Sequence, residues 1–207
     1  MPKISQDRRN RQAAHIRAAA ERCFARTGFH GTSMGQIIAE AGMSSSTVYH
    51  YYPEGKQSLI RAVSAARINP LLTQIDSLAS QPVLPSVQIV FVDAMHTLGL
   101  RNDAQPDDLT ERETIDLYAR LAVNAWTELP RDPQIRDMIV GNYASIRSSL
   151  TDLIRRWQNA GMISTKLSAK QIGALIQNSA FGLIVEQVVT GHSDIPAAGQ
   201  TLEELLK

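Results

Sequence analysis

Apolar residues recur every three to four positions along nearly the whole chain, and no stretch sustains the two-residue alternation of a strand. A chain so patterned can bury its apolar stripes only by packing helix on helix, so the fold class is all-α. Prolines and glycines divide the pattern into segments. A first helix is expected over 8–27, with Ile16, Ala20, Cys23 and Phe24 on one stripe and Gly28 ending it. A second follows Thr32, with Ser33 and Gln36 as a capping box, carries Ile37 and Ala41 inward, and stops at Gly42. Ser44 opens a short third helix that buries Val48 and Tyr52. A fourth begins at Lys56 and runs to about Ser80; Pro70 in its interior predicts a kink or break near Arg67.

The rest predicts four or five more helices. Residues 85–100 are apolar almost all round, which predicts burial on every side. Thr110 and Glu113 form a capping box ahead of Ile115, Tyr118 and Trp126. Asp132 and Pro133 start a helix reaching Ala160, and Ser168 with Gln171 starts another that ends at Gly191. Residues 192–207 read as a weakly helical tail.

Charge divides the chain unevenly. Residues 1–60 carry eight Lys/Arg against four Asp/Glu, a net of +4, whereas residues 61–207 carry thirteen against sixteen, a net of −3. A small basic module suited to a polyanion is thus joined to a larger acidic-neutral one, with the division at residue 55: 1–55 and 56–207. The single cysteine, Cys23, excludes an internal disulfide and sits on a buried stripe as a packed thiol, which fits a cytoplasmic protein. No metal-ligand cluster, phosphate-cradling glycine loop or nucleophile motif is present, so neither a metal, a cofactor nor an enzymatic activity is expected. No run of 18 apolar residues spans a membrane, and no secretory h-region follows the basic N-terminus.

The most specific local pattern lies in residues 33–52: two short amphipathic helices joined through Ala41-Gly42-Met43-Ser44, the helix-turn-helix arrangement. The second of them offers Ser45, Ser46, Thr47, Tyr49, His50 and Tyr51, hydroxyls and hydrogen-bonding rings without a carboxylate to repel phosphate. The helix starts at Ser33, Ser44 and Lys56 add oriented N–H groups that suit phosphates. Lys3, Arg8, Arg9 and Arg11 form either an arm toward a minor groove or a plain tail.

Within residues 16–59, Phe24, Gly28-Phe29, Gly31-Thr32-Ser33, Ile37, Ala41-Gly42-Met43-Ser44, Val48-Tyr49-His50-Tyr51-Tyr52 and Lys56 resemble the DNA-binding domain of the tetracycline-repressor (TetR) family. Ser46 replaces the family's common glycine and Ile38 its common alanine. The resemblance implies a homodimeric transcription factor, usually a repressor, that binds a double-stranded DNA operator and whose diverged C-terminal domain binds a small-molecule effector. It implies that Tyr49, His50 and Tyr51 reach DNA and that Thr32, Ser33 and Lys56 hold phosphates. The alternative is a helix-turn-helix factor whose C-terminal domain serves only to dimerise or to bind a protein.

For the effector cavity, Gln88, Asp93 and His96 in an otherwise apolar helix call for buried partners, and a ligand pocket could supply them. The expected lining is Phe91, Met95, His96, Tyr118, Trp126 and Met138, with a core role for His96 as the other reading. Small residues along the last long helix suit close approach, and the family's dimer places Ile172, Leu175, Ile176, Ser179 and Leu183 at the interface.

Overall fold

A computed structural model of the 207-residue chain describes residues 6–100 and 109–207, with side chains described for 6–100 and 117–207. Nine helices follow one another among the described residues: α1 (Gln6–Gly31), α2 (Met34–Ala41), α3 (Ser45–Tyr51), α4 (Lys56–Leu78), α5 (Val87–Thr97), α6 (Leu109–Thr127), α7 (Pro133–Asn159), α8 (Ala169–Thr190) and α9 (Ile195–Leu206). Arg8, Arg9 and Arg11 lie within α1, so they form a helical surface and not an extended arm; Lys3 lies outside the described residues. The Thr110–Glu113 capping box also falls among side chains outside the description.

Local signals set most of the boundaries. The Ser33 hydroxyl accepts from the Gln36 N–H while the Gln36 side chain accepts from the Ser33 N–H, so two of the helix's orphan donors are satisfied. Asp132 accepts from the N–H groups of Gln134 and Ile135 at the head of α7, and Gln57 Nε2 donates to it from α4 at 3.0 Å. The Gln57 bond, followed by these backbone bonds, holds the Asp132 carboxyl below its ordinary range.

Two apolar clusters hold the helices together. One joins α1, α2, α3 and the first half of α4 through Ile16, Phe24, Phe29, Ile37, Val48 and Leu59, and it draws in Leu121 from α6 and Ile135 from α7. Phe24 and Phe29 meet edge to face, centroids 4.7 Å apart. The second lies among α4, α5, α7, α8 and α9 around Ile75, Phe91, Leu153, Trp157, Ile176 and Leu202. A division at residue 55 therefore cuts through the first cluster, because Leu59, Ile60 and Val63 pack with α1.

Four expectations need correction. The helix carrying Pro70 continues unbroken from Lys56 to Leu78: Pro70 lies on its exposed face, while Leu71 and Ile75 are buried and hold the turns on its C-terminal side. Beyond it, Arg156 closes the end of α4 by donating to the carbonyls of Leu78 and Gln81. Helix α5 is not buried all round, since Ile89 is 53% exposed and Asp93 lies in solvent.

The C-terminal segment is a docked helix, not a weak tail. Asp194 caps it, Pro196 starts it, and Leu202 and Leu206 are buried. Glu203 of α9 accepts the Gln88 N–H at the start of α5, and that bond is the main cause of its lowered carboxyl pKa.

Lastly, Ile172, Ile176 and Leu183 face their own protomer's core, at 1%, 6% and 8% exposure. The outward stripe of α8 is instead Leu175, Asn178, Gly182, Val185 and Val189, with Ser179 half-buried beside it. α8 alone among the described residues has the length and mean hydropathy, 1.4, to cross a membrane, yet its inner face packs against α7 and α6.

Candidate nucleic-acid interface and interior cavity

The α2–α3 turn depends on Gly42, which takes φ 60° and returns its N–H toward the α2 carbonyls of Ala39 and Ile38. A side chain there would strain the left-handed backbone, so the angle between the two helices rests on this residue. Ser44 then caps α3, accepting from the Thr47 N–H at 3.2 Å, and its hydroxyl lies 2.8 Å from Thr47 Oγ1 and 3.0 Å from Ser46 Oγ. Val48 is fully buried and fixes the inner face, so the outer face must be Ser45, Ser46, Tyr49 and His50.

Two tyrosines fasten this short helix to α1. Tyr51 Oη donates to Gln12 Oε1 at 2.5 Å, and Tyr52 Oη donates to the Ala13 carbonyl at 2.9 Å. Tyr51 is thus half-buried and already engaged, whereas Tyr49, 44% exposed, keeps a free ring at the surface. On the other side of the module, Glu40 of α2 accepts from Arg22 Nε at 2.7 Å and from Arg26 Nη2 at 2.6 Å. These bonds lower the Glu40 carboxyl pKa and tie α2 to α1. Burial pushes the Cys23 thiol up, as for a packed side chain rather than a reactive one.

Two of the expected phosphate ligands have other duties. The Thr32 side chain is buried, and its hydroxyl donates toward the Gly28 carbonyl at 2.7 Å and lies 2.7 Å from Thr27 Oγ1. Lys56 Nζ donates to the carbonyls of Phe29 and Thr32, at 2.9 and 3.0 Å, closing the end of α1. Both residues build the module from inside, whereas Ser33 and Ser44 are exposed.

Beneath the module, α4, α6, α7 and α8 line a partly open cavity of about 430 Å³. Trp126 meets Phe181 edge to face at 5.3 Å, and Phe181 stacks on Tyr143 at 5.5 Å, giving an aromatic wall. Tyr118, Trp126 and Met138 of the expected lining are here. Phe91 and Met95 line a separate small void of about 60 Å³ further down the bundle, and His96 lines neither, being half-buried on α5. Leu98, Ile146, Phe181 and Ile184 border both spaces.

Sequence reading missed Arg67, Leu121, Asn142, Tyr143 and Phe181, which helix crossing brings to the wall. Only Arg67 carried a local signal: it stands on the stripe Ile60, Val63, Arg67, Leu71, where an apolar residue is the norm.

The cavity and α1 share a wall. Asn124 of α6 donates through Nδ2 to the carbonyls of Phe24 and Ala25, at 3.0 and 3.1 Å, and buried Glu128 accepts the His30 N–H at 3.2 Å. The same helix presents Tyr118, Leu121, Ala122, Ala125 and Trp126 to the cavity. Asn124 and Glu128 therefore tie the cavity's α6 wall to the carbonyl end of α1.

Residues 16–63 match the family model described as bacterial regulatory proteins, tetR family. The HTH-type transcriptional regulator UidR of Escherichia coli strain K12 is 25% identical over 170 residues, which span 81% of this chain and 77% of UidR. The fold matches that of Salmonella enterica GusR with a TM-score of 0.73 and 24% identity, covering 99% of both chains. It also matches the triclosan complex of SmeT, a Stenotrophomonas maltophilia repressor, with a TM-score of 0.70 and 15% identity over 94% of this chain and 89% of that one.

Proposed function

Because the chain belongs to the tetR family of bacterial regulatory proteins and is a DNA-binding transcriptional regulator, we propose that it is a cytoplasmic homodimeric repressor that binds a palindromic operator and is released by a small, largely apolar molecule. The observation that carries this reading is the 430 Å³ cavity whose α6 wall is hydrogen-bonded to α1. A volume of that order suits a small organic ligand, and its aromatic wall suits an apolar one. SmeT, of the same fold, is a repressor that forms a complex with triclosan, which supports the same use of the fold here. A factor that merely dimerised would gain nothing from such a space, since an unfilled cavity costs stability.

In this reading Ser45, Ser46, Tyr49 and His50 enter the major groove, and the exposed caps Ser33 and Ser44 approach phosphates. The hydroxyls and imidazole pair with base edges or backbone oxygens, while the absence of carboxylates from that face spares repulsion. Tyr51 positions α3 through Gln12. Two copies related by a two-fold axis then present α3 to successive major grooves. An occupant pressing α6 away from α4 and α7 moves Asn124 and Glu128, and with them α1, so the two reading helices lose the half-site spacing. Coupling between effector and operator is then reciprocal, at about 1–3 kcal/mol.

Fluorescence anisotropy on duplex DNA flanking the protein's own gene, at two salt concentrations, tests the DNA-binding part. Saturable binding that weakens steeply with salt and is lost in Tyr49→Ala supports the reading. Binding that is insensitive to Tyr49→Ala refutes the assignment of α3 as the reading helix.

A further inference from the structure

Among the described residues that line the large cavity, Arg67 alone carries a formal charge. Its surroundings are unusual. Arg67 Nη2 donates to Glu21 Oε2 at 2.8 Å, and its guanidinium lies over the Tyr118 ring, 3.7 Å from the centroid. Glu21 is 5% exposed and belongs to α1, so this ion pair reaches from the cavity wall into the DNA-binding module. Its other oxygen, Oε1, faces Arg17 Nε at 3.7 Å, beyond hydrogen-bond reach. Among the described residues, the buried side-chain polar atoms that find no hydrogen-bond partner are Arg17 Nε, Glu21 Oε1 and Arg67 Nε, and all three lie in this cluster.

A folded protein seldom leaves buried donors unpaired without a use for them. Here one carboxylate is divided between two guanidinium groups, and the cavity-facing arginine keeps a desolvated Nε–H to spare. A guanidinium presents a planar fork that matches a carboxylate or sulfonate, and a low-dielectric wall strengthens the pairing.

We propose that the cavity selects an amphiphile with an anionic head and an apolar body, the head binding Arg67 in competition with Glu21. The body lies against Trp126 and Phe181. As the head engages Arg67, Glu21 loses its close partner, and α1 loses a tie to α4. This rests on the cavity being the effector site, and it names the chemistry of the effector and a second route from cavity to α1 beside that through Asn124.

The test uses two fluorescent probes with one arylamine skeleton, anilinonaphthalene sulfonate and the uncharged N-phenylnaphthylamine, titrated into the full-length protein. The sulfonate should bind at least about tenfold more tightly, the scale of one charge-assisted hydrogen bond. Glu21→Gln, which removes the competitor, should tighten the sulfonate further and leave the neutral probe unchanged. Removing Arg67 alone would strand Glu21 in the interior, so the informative variant is Arg67→Met with Glu21→Gln, in which the preference should fall below about twofold while the neutral probe binds as before. Amide exchange around Glu21 should rise when the wild type is saturated with the sulfonate and not with the neutral probe.

A wild type without preference, or a preference that survives in the double variant, overturns the role of Arg67. Failure of the underlying reading looks different: Ala125→Trp, or Ala122→Phe should that not fold, fills the cavity, and both probes binding it undiminished would show that they never entered.

Discussion

Substituting Val185 by Asp tests whether the outward stripe of α8 joins two copies in the proposed homodimer. Leu175, Val185 and Val189 stand 40%, 42% and 76% exposed along one edge of α8, ten and four residues apart. Full burial of such a side chain contributes roughly 1.5–3 kcal/mol, so covering the exposed fractions contributes about 3 kcal/mol per protomer and about twice that for a symmetric pair, before association costs. Val185→Asp removes about 1 kcal/mol from each side and sets two carboxylates against apolar partners across the two-fold axis, where like charges cost several kcal/mol more. The sum of at least ~4 kcal/mol weakens the dimer by about three orders of magnitude. Sedimentation velocity should then give a dimer for wild type and a monomer for the variant at micromolar concentration, with the thermal transition retained. Ile176→Asp is the control: at 6% exposure its charge enters the protomer's own core, so the transition itself should collapse. A Val185→Asp protein that still sediments as a dimer refutes the interface, and a well-folded Ile176→Asp monomer refutes the packing assignment.

Further substitutions probe the module and the cavity separately. Tyr49→Ala should abolish operator binding without moving the melting temperature, whereas Thr32→Val should lower stability by about 1–3 kcal/mol, because it strips the Gly28 and Cys23 carbonyls of a buried donor. Gly99→Ala combines φ 91° with a Cβ that would overlap the Tyr118 ring; it should lower the melting temperature and drive Tyr118 into the cavity, weakening N-phenylnaphthylamine binding. Glu40 has a folded pKa below its ordinary 4.5, so its stabilisation is present above that value and is lost as pH falls through the folded one. Thermal melts from neutral to acid pH should accordingly show a shallower acid decline in Glu40→Gln, starting from a lower plateau; an unchanged acid limb would sink the role given to the Arg22–Glu40–Arg26 bridge.

What the chain states locally, it states well. Capping boxes at Ser33 and Ser168, the glycine at 42 and the proline at 133 mark helix boundaries by chemistry confined to one turn, and the α2–α3 module lies wholly within such signals. The outward residues of α3 follow from the burial of Val48 on a 3.6-residue period. Even Arg67 announces itself as a charge on an apolar stripe. Tertiary packing decided the rest.

Periodicity says that Ile176 and Val185 are apolar helix residues but not which faces its own core and which faces solvent, since that depends on where α7 and α6 lie against α8. It also gives no way to know that the Thr32 hydroxyl and the Lys56 ammonium would be taken up by α1 carbonyls. Pro70 was tolerated because packing at Leu71 and Ile75 secured the helix around it. Residues 195–206 became a helix because α5 offered a surface for Leu202 and Leu206. The cavity wall is assembled from four helices spread over more than a hundred residues, so no window of sequence contains it.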